Sequence, residues 1–289
     1  MHPYSIHPDT TVGPVYLTVS DLKRSEEFYR EVLGFKPLPR RGDILSLTAD
    51  GVTPVLELKG EAAAPRRPPR TTGLYHFAVL TPSRLDLARS LRHLADVRYP
   101  IQGGTDHLVS EAVYLADPDD NGIEIYRDRP RDTWTFPNGE IHMESDPLDY
   151  DSILAELDGH AGPWEGLAAG TRIGHVHLNV ADLATTEDFY HGVLGFDVTM
   201  RRAHGALFIS AGGYHHHLGL NIWNGEGVPP PPEGAIGLRY YSIVLPDVHE
   251  LETVAGRVQE AGITAEEMDE GFMLRDPSQN GVLLTHRGG

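Results

Sequence analysis

The sequence predicts an α+β protein built from four units, each a strand, a helix and then several strands, with the units paired through curved sheets. Three observations carry this. The stretch "GPVYLTVSDLKRSEEFYREVLGF" (13–35) aligns without a gap on "GHVHLNVADLATTEDFYHGVLGF" (174–196). A fainter pair follows each copy, "TGLYHFAVLTPSRLDLARSLRHL" (72–94) and "IGLRYYSIVLPDVHELETVAGRV" (236–258). Both members of that pair then reach a turn between apolar runs, "VYLADPDDNGIEIY" (113–126) and "FMLRDPSQNGVLLT" (272–285). Units of this length with mixed content favour paired modules over a solenoid.

Each element has a local reason. Val15, Leu17 and Val19, like Val176, Leu178 and Val180, alternate as in a half-buried strand. Ser20 or Ala181 with the following aspartate begins a helix. Leu22, Phe28, Tyr29, Val32 and Leu33 recur at helical spacing, and Gly34 and Gly195 stop the two copies. The Asn-Gly in each later turn is a hairpin signal. The units fall near 10–60, 72–129, 171–224 and 236–288. The connections "EAAAPRRPPRT" (61–71), 130–170 and "GEGVPPPPEG" (225–234) are rich in turn residues, and 147–157 reads as a short helix inside the long one. The domains expected are 1–130 with modules one and two, a connector at 131–170, and 171–289 with modules three and four.

Composition narrows the function. The chain has 289 residues and a formal charge of −18, and its one basic cluster is "PRRPPR" at 65–70. Binding to nucleic acid or an anionic membrane is therefore not expected. There is no cysteine, so disulfides, thiolate nucleophiles and cysteine metal ligands are excluded. Neither a leader pattern nor a long apolar segment is present, and a cytoplasmic protein is the expectation. Sixteen histidines are the unusual feature. Three are consecutive, His215, His216 and His217, in "ISAGGYHHHLGLNIW" (209–223). If that stretch is a strand, His216 opposes the other two, and the three cannot share one metal.

The repeated "DL…FY…VLGF" together with "DPDDNGIEIY" resembles the vicinal oxygen chelate superfamily. The resemblance covers nearly the whole chain outside 130–170. The four-module length and "GGYHHHLGL" are most similar to type I extradiol catechol 2,3-dioxygenases. The resemblance implies four βαβββ modules in two curved-sheet cups. It places a metal ligand at the start of a module's first strand, which here is His76 in module two and His175 in module three. It places a glutamate in a module's last strand, here Glu124. The same places in modules one and four hold Pro14, Tyr240 and Leu283. The one complete set, His76, Glu124 and His175, therefore implies that modules two and three pair around a metal and one and four pair without one.

Two histidines and a carboxylate on one face of a metal leave about three open positions, as non-haem Fe(II) sites do. Fe(II) is the cofactor implied, with Mn(II) an acceptable replacement. The substrates implied are an aromatic diol and O₂, with ring opening beside the diol and a yellow semialdehyde product. By the same resemblance Tyr114, ten residues before Glu124, is an active-site tyrosine, and His216 is the acid–base histidine, a side-chain type suited to proton transfer near neutral pH. His107 is a weaker candidate for substrate contact. His177 shares a strand face with His175, and the family match favours His175. Without context a strand histidine is more often a hydrogen-bonded core or surface residue, and Tyr114 would read as core.

"DPDDNGIEIYRD" fits part of a calcium loop, but such a loop needs flanking helices and this one has strand patterns, so a hairpin turn is expected. Glu57 reads as structural. The rivals are a glyoxalase or a thiol-conjugating resistance enzyme, and a metal-free small-molecule binding protein. A glyoxalase-type site wants a further carboxylate, and "HGALFISAGGYHHHLGLNIW" (204–223) contains none. Modules one and four would be scaffold or the surface of a homo-oligomer.

Overall fold

The computed structural model describes residues 4–160 and 162–288. Module one has β1 (Thr11–Val19), α1 (Leu22–Glu27), β2 (Lys36–Pro37), β3 (Ile44–Thr48) and β4 (Pro54–Gly60). Module two has β5 (Gly73–Leu80), α2 (Arg84–Asp96), β6 (Gly103–Asp106), β7 (Ser110–Ala116) and β8 (Gly122–Asp128). The connector adds β9 (Asp146–Pro147) and α3 (Tyr150–Leu154), the short helix expected there. Module three has β10 (Arg172–Asn179), α4 (Leu183–Glu187), β11 (Asp197–Arg202), β12 (Ala206–Ser210) and β13 (Leu218–Asn221). Module four has β14 (Gly237–Leu245), α5 (Val248–Glu260), β15 (Ala265–Met268), β16 (Gly271–Arg275) and β17 (Gly281–His286).

The strands make two curled sheets. One runs β15-β16-β17-β14-β1-β4-β3-β2 and draws on modules one and four. The other runs β11-β12-β13-β10-β5-β8-β7-β6-β9 and draws on modules two and three. This is the pairing that the ligand set implies. In modules two, three and four the first strand runs parallel to the last, β5 to β8, β10 to β13 and β14 to β17. Such a pair needs a crossover, and the module helix supplies it.

By density of contacts the chain forms two compact units. One comprises Met1–Leu17, Pro65–Tyr75 and Gly174–Gly289, and the other Thr18–Ala64 and His76–Ile173. The first has a core around Phe189, Tyr190, Leu178, Leu220 and Tyr241, and the second around Phe28, Tyr29, Leu56, Phe77 and Leu87, all buried.

The repeated helices differ from the expected continuous α-helix. Asp21 and Asp182 cap them as expected, accepting from backbone N–H groups of the first turn. After six and five residues respectively each widens into a π turn, Phe28–Val32 and Asp188–Val193. The widening falls on the repeated "FY". Both aromatics are buried in each copy. Tyr29 donates to Asp117 Oδ2 at 2.9 Å, and Tyr190 to Asp276 Oδ2 at 3.0 Å. Gly34 and Gly195 then end the two copies at φ +86° and +88°.

Those aspartates belong to the predicted hairpins, which join β7 to β8 and β16 to β17. The turn chemistry is not that of an Asn-Gly turn, because the left-handed residues are Asp120 and Gln279. Asp117 accepts from the N–H groups of Asp119 and Asn121 and from the Asn121 amide, and Asp276 does the same with Ser278 and Asn280. Of the calcium-like stretch, Asp117 is thus engaged by the turn and Asp119 by Arg24 and Ser20.

Candidate metal centre

The parallel register of β5 and β8 sets Ala78 beside Glu124 and His76 beside Gly122, so His76 and Glu124 are diagonal neighbours on one face. Both are buried, and His76 Nε2 lies 3.0 Å from Glu124 Oε2. That spacing suits two donors at right angles about a metal with bonds of about 2.1 Å. His175, on β10, is 1% exposed. His76, Glu124 and His175 each offer a ligand atom, and these atoms all lie within 4.8 Å of one another. They are the one such cluster of three or more histidine or acidic side chains among the described residues. Two imidazoles and one carboxylate form a donor set that accepts Fe(II), Mn(II) or Zn(II).

Tyr114 stands directly opposite Glu124 in the antiparallel β7–β8 pair, and its ring lies 5.7 Å from that of His76. His107 follows β6 and reaches back. Its Nδ1 lies 2.6 Å from the Glu144 carbonyl oxygen and its Nε2 lies 2.8 Å from the Tyr114 hydroxyl. A carbonyl only accepts, so a neutral His107 carries its proton on Nδ1 and accepts the Tyr114 O–H at Nε2. His107 is therefore joined to Tyr114, a link that sequence spacing did not indicate.

The three consecutive histidines do not form a strand. They lie in the turn between β12 and β13, and all three are buried. Alternation does not apply there, and His215 does not face away from His216. Their Nδ1 atoms are 2.8 Å apart, one donating and the other accepting. The His175 ring packs on His216 at 4.2 Å and on His215 at 6.1 Å. His217 accepts the Ala211 N–H and packs on Tyr214. The turn needs left-handed backbone at Gly212 and Gly213, so the "GG" before the histidines is what releases them from strand geometry.

His177 points to the same face as His175 and packs on Tyr75, Phe208 and Trp223. Those three aromatics were not singled out from sequence. The available signal was Gly219, which opposes both His177 and Phe208 in the ladder. A Cβ there would come within 2.9 Å of the His177 ring.

The fold is one of duplicated βαβββ modules, and His76, Glu124 and His175 form a cluster of the kind that can hold a metal ion. The chain belongs to the Glyoxalase/Bleomycin resistance protein/Dioxygenase superfamily, whose model matches residues 11–125 and 172–283. It is 46% identical over 284 residues to the Catechol-2,3-dioxygenase of Bacillus subtilis (strain 168), covering 97% of this chain and 98% of that one. The fold is also that of a putative dioxygenase from Bacillus subtilis, with a TM-score of 0.66 and 12% identity over 99% of this chain and 87% of that one. Glyoxalase I from Zea mays matches with a TM-score of 0.59 and 16% identity over 96% and 92% of the two chains. Among the described residues no helix is long and apolar enough to cross a membrane.

Proposed function

We propose that the chain is an Fe(II)-dependent extradiol dioxygenase that opens the ring of a catechol-type diol with O₂. The observation that carries this is the convergence of His76, Glu124 and His175 from modules two and three, in a chain 46% identical to a catechol-2,3-dioxygenase. In this reading those three residues hold the metal, and a cytoplasmic location and an aromatic-degradation role belong to the same reading. Fe(II), or Mn(II) in its place, would supply Lewis acidity toward the diol and redox chemistry toward O₂ when bound.

The rest of the chemistry falls to side chains. His216 accepts a proton from the diol and returns it during ring opening, a step worth about 10²–10⁴ in rate for a positioned base. Its Nδ1 is engaged by His215, so in this reading the proton traffic runs through Nε2. Tyr114 directs its own proton to His107, so its oxygen is turned to accept from a substrate hydroxyl. The buried setting keeps water from competing for these hydrogen bonds. A four-ligand glyoxalase site is disfavoured, because no acidic residue lies between His204 and Trp223.

The test is metal analysis of anaerobically purified wild type and His175→Ala, with O₂ uptake after addition of catechol. About one iron per chain in wild type, lost in the variant, with O₂ consumption and a yellow product, is the expected result. Absence of metal after Fe(II) loading of wild type would overturn the reading.

A further inference from the structure

We propose that Tyr75, Trp223, His177 and Phe208 form an aromatic wall that selects diols carrying a flat, apolar aryl substituent. This rests on the extradiol reading and deepens it. The observation is a continuous run of ring contacts. His175 packs on His216 at 4.2 Å, His216 on Phe208 at 5.0 Å, and Phe208 on His177 at 5.8 Å. His177 then meets Trp223 at 5.3 Å and Tyr75 at 5.1 Å, and these last two meet each other at 5.2 Å. The run begins at a candidate metal ligand and ends at solvent.

Exposure changes along it. His175, His216, Phe208 and His177 are all buried, whereas Tyr75 is 46% and Trp223 49% exposed. Two large rings, each about half exposed, thus extend the buried aromatic run to the surface and add apolar area there. Trp223 is also fixed in place. Its indole N–H donates to the His204 carbonyl at 2.9 Å and its backbone N–H to the Asn221 side chain at 2.9 Å. The polar atom of the indole is therefore used, and the ring offers its face and edge. Tyr75 and Trp223 meet edge to face at 81°, an arrangement that a further aromatic ring extends and a carboxylate does not. None of the four wall side chains is an arginine or lysine, so an anionic substituent finds no counter-charge on the wall, in a chain already at −18.

The experiment compares catechol, 3-phenylcatechol, 4-phenylcatechol and 3,4-dihydroxyphenylacetate as substrates by O₂ uptake, in wild type, Trp223→Ala, Tyr75→Ala and Trp223→Phe with equal iron content. Wild type is expected to favour a phenylcatechol over the carboxylate by about tenfold in kcat/KM. Each alanine variant should lower kcat/KM for that phenylcatechol about fivefold more than for catechol, the scale of one lost aromatic contact, and Trp223→Phe should recover most of it. Under anaerobic conditions the phenylcatechol should quench indole fluorescence in wild type but not in Trp223→Ala.

Catechol turnover with unaltered substrate ratios in both alanine variants, or equal quenching in Trp223→Ala, would overturn the wall. Quenching that depends on Trp223 without turnover of any diol would support the wall while the extradiol reading fell.

Discussion

At the scale of single residues, the proposed mechanism gives metal holding and proton handling to different side chains. His216 contacts the His175 ring, but its own Nδ1 is tied to His215. His216→Asn is expected to retain iron and to lower kcat by about 10²–10⁴, measured by O₂ uptake at saturating catechol alongside metal analysis. An equal loss of metal and activity would make His216 structural instead. Tyr114→Phe removes the hydroxyl that His107 binds. It should lower kcat/KM by roughly 10-fold or more with iron retained, the cost of one lost polar contact in a buried site. The candidate residues His76, Glu124, Tyr114, His107 and His216 were all legible by motif. The bond between His107 and Tyr114 was not, because it is made across a strand pair whose register spacing alone does not give.

At the scale of elements, two features test how the site is held. Gly212 sits at φ +60° in the turn before the histidines, and a Cβ there would collide with the Pro8 carbonyl. Gly212→Ala should cost about 2 kcal/mol or more in unfolding free energy and displace His215 and His216, read as loss of activity beyond the loss of stability. The second feature is Glu111 on β7, buried and bound by Arg84, Arg127 and Arg129. Burial raises its pKa, but the guanidiniums more than offset this and hold the carboxyl below its ordinary 4.5. A lowered folded pKa means stability that is present above pH 4.5 and lost as pH falls through the folded value. Glu111→Gln should cost about 3 kcal/mol at pH 7, and the gap to wild type in denaturant unfolding should narrow as pH falls below 4.5.

At the scale of the whole molecule, the duplication repeats one device in each unit, a buried tyrosine on a π turn bound to a buried aspartate in a hairpin. Burial is the largest influence on Asp117 and Asp276 and raises both above 3.8 despite their hydrogen bonds. The sign is opposite to that of Glu111. A carboxyl whose pKa is raised on folding makes stability fall as pH climbs from 3.8 through the folded value. Asp276→Asn should therefore flatten the fall in unfolding free energy as pH climbs above 3.8. Tyr29→Phe removes one bond to Asp117, at about 1.5–3 kcal/mol for a buried bond to a charged group. Tyr190→Phe should cost more, because Tyr190 also accepts from Tyr241 at 2.9 Å. Equal midpoints for the two variants in urea unfolding would contradict this.

What the sequence by itself determined is whatever repeats locally or survives as a pattern of presence and absence. Alternation marked β1 and β10, and the capping aspartates and stopping glycines marked the ends of the repeated helices. The ligand positions filled in modules two and three, and emptied in one and four, anticipated which modules share a sheet. What only the tertiary structure decided depends on atoms far apart in the chain. The "FY" lies on a π turn from which Tyr29 and Tyr190 bond to Asp117 and Asp276, 88 and 86 residues away. The three histidines leave strand geometry because two left-handed glycines turn the chain before them. Tyr75 and Trp223 meet only once β5 and the end of β13 are folded, since periodicity reports which face a side chain takes and not which distant ring it will find there.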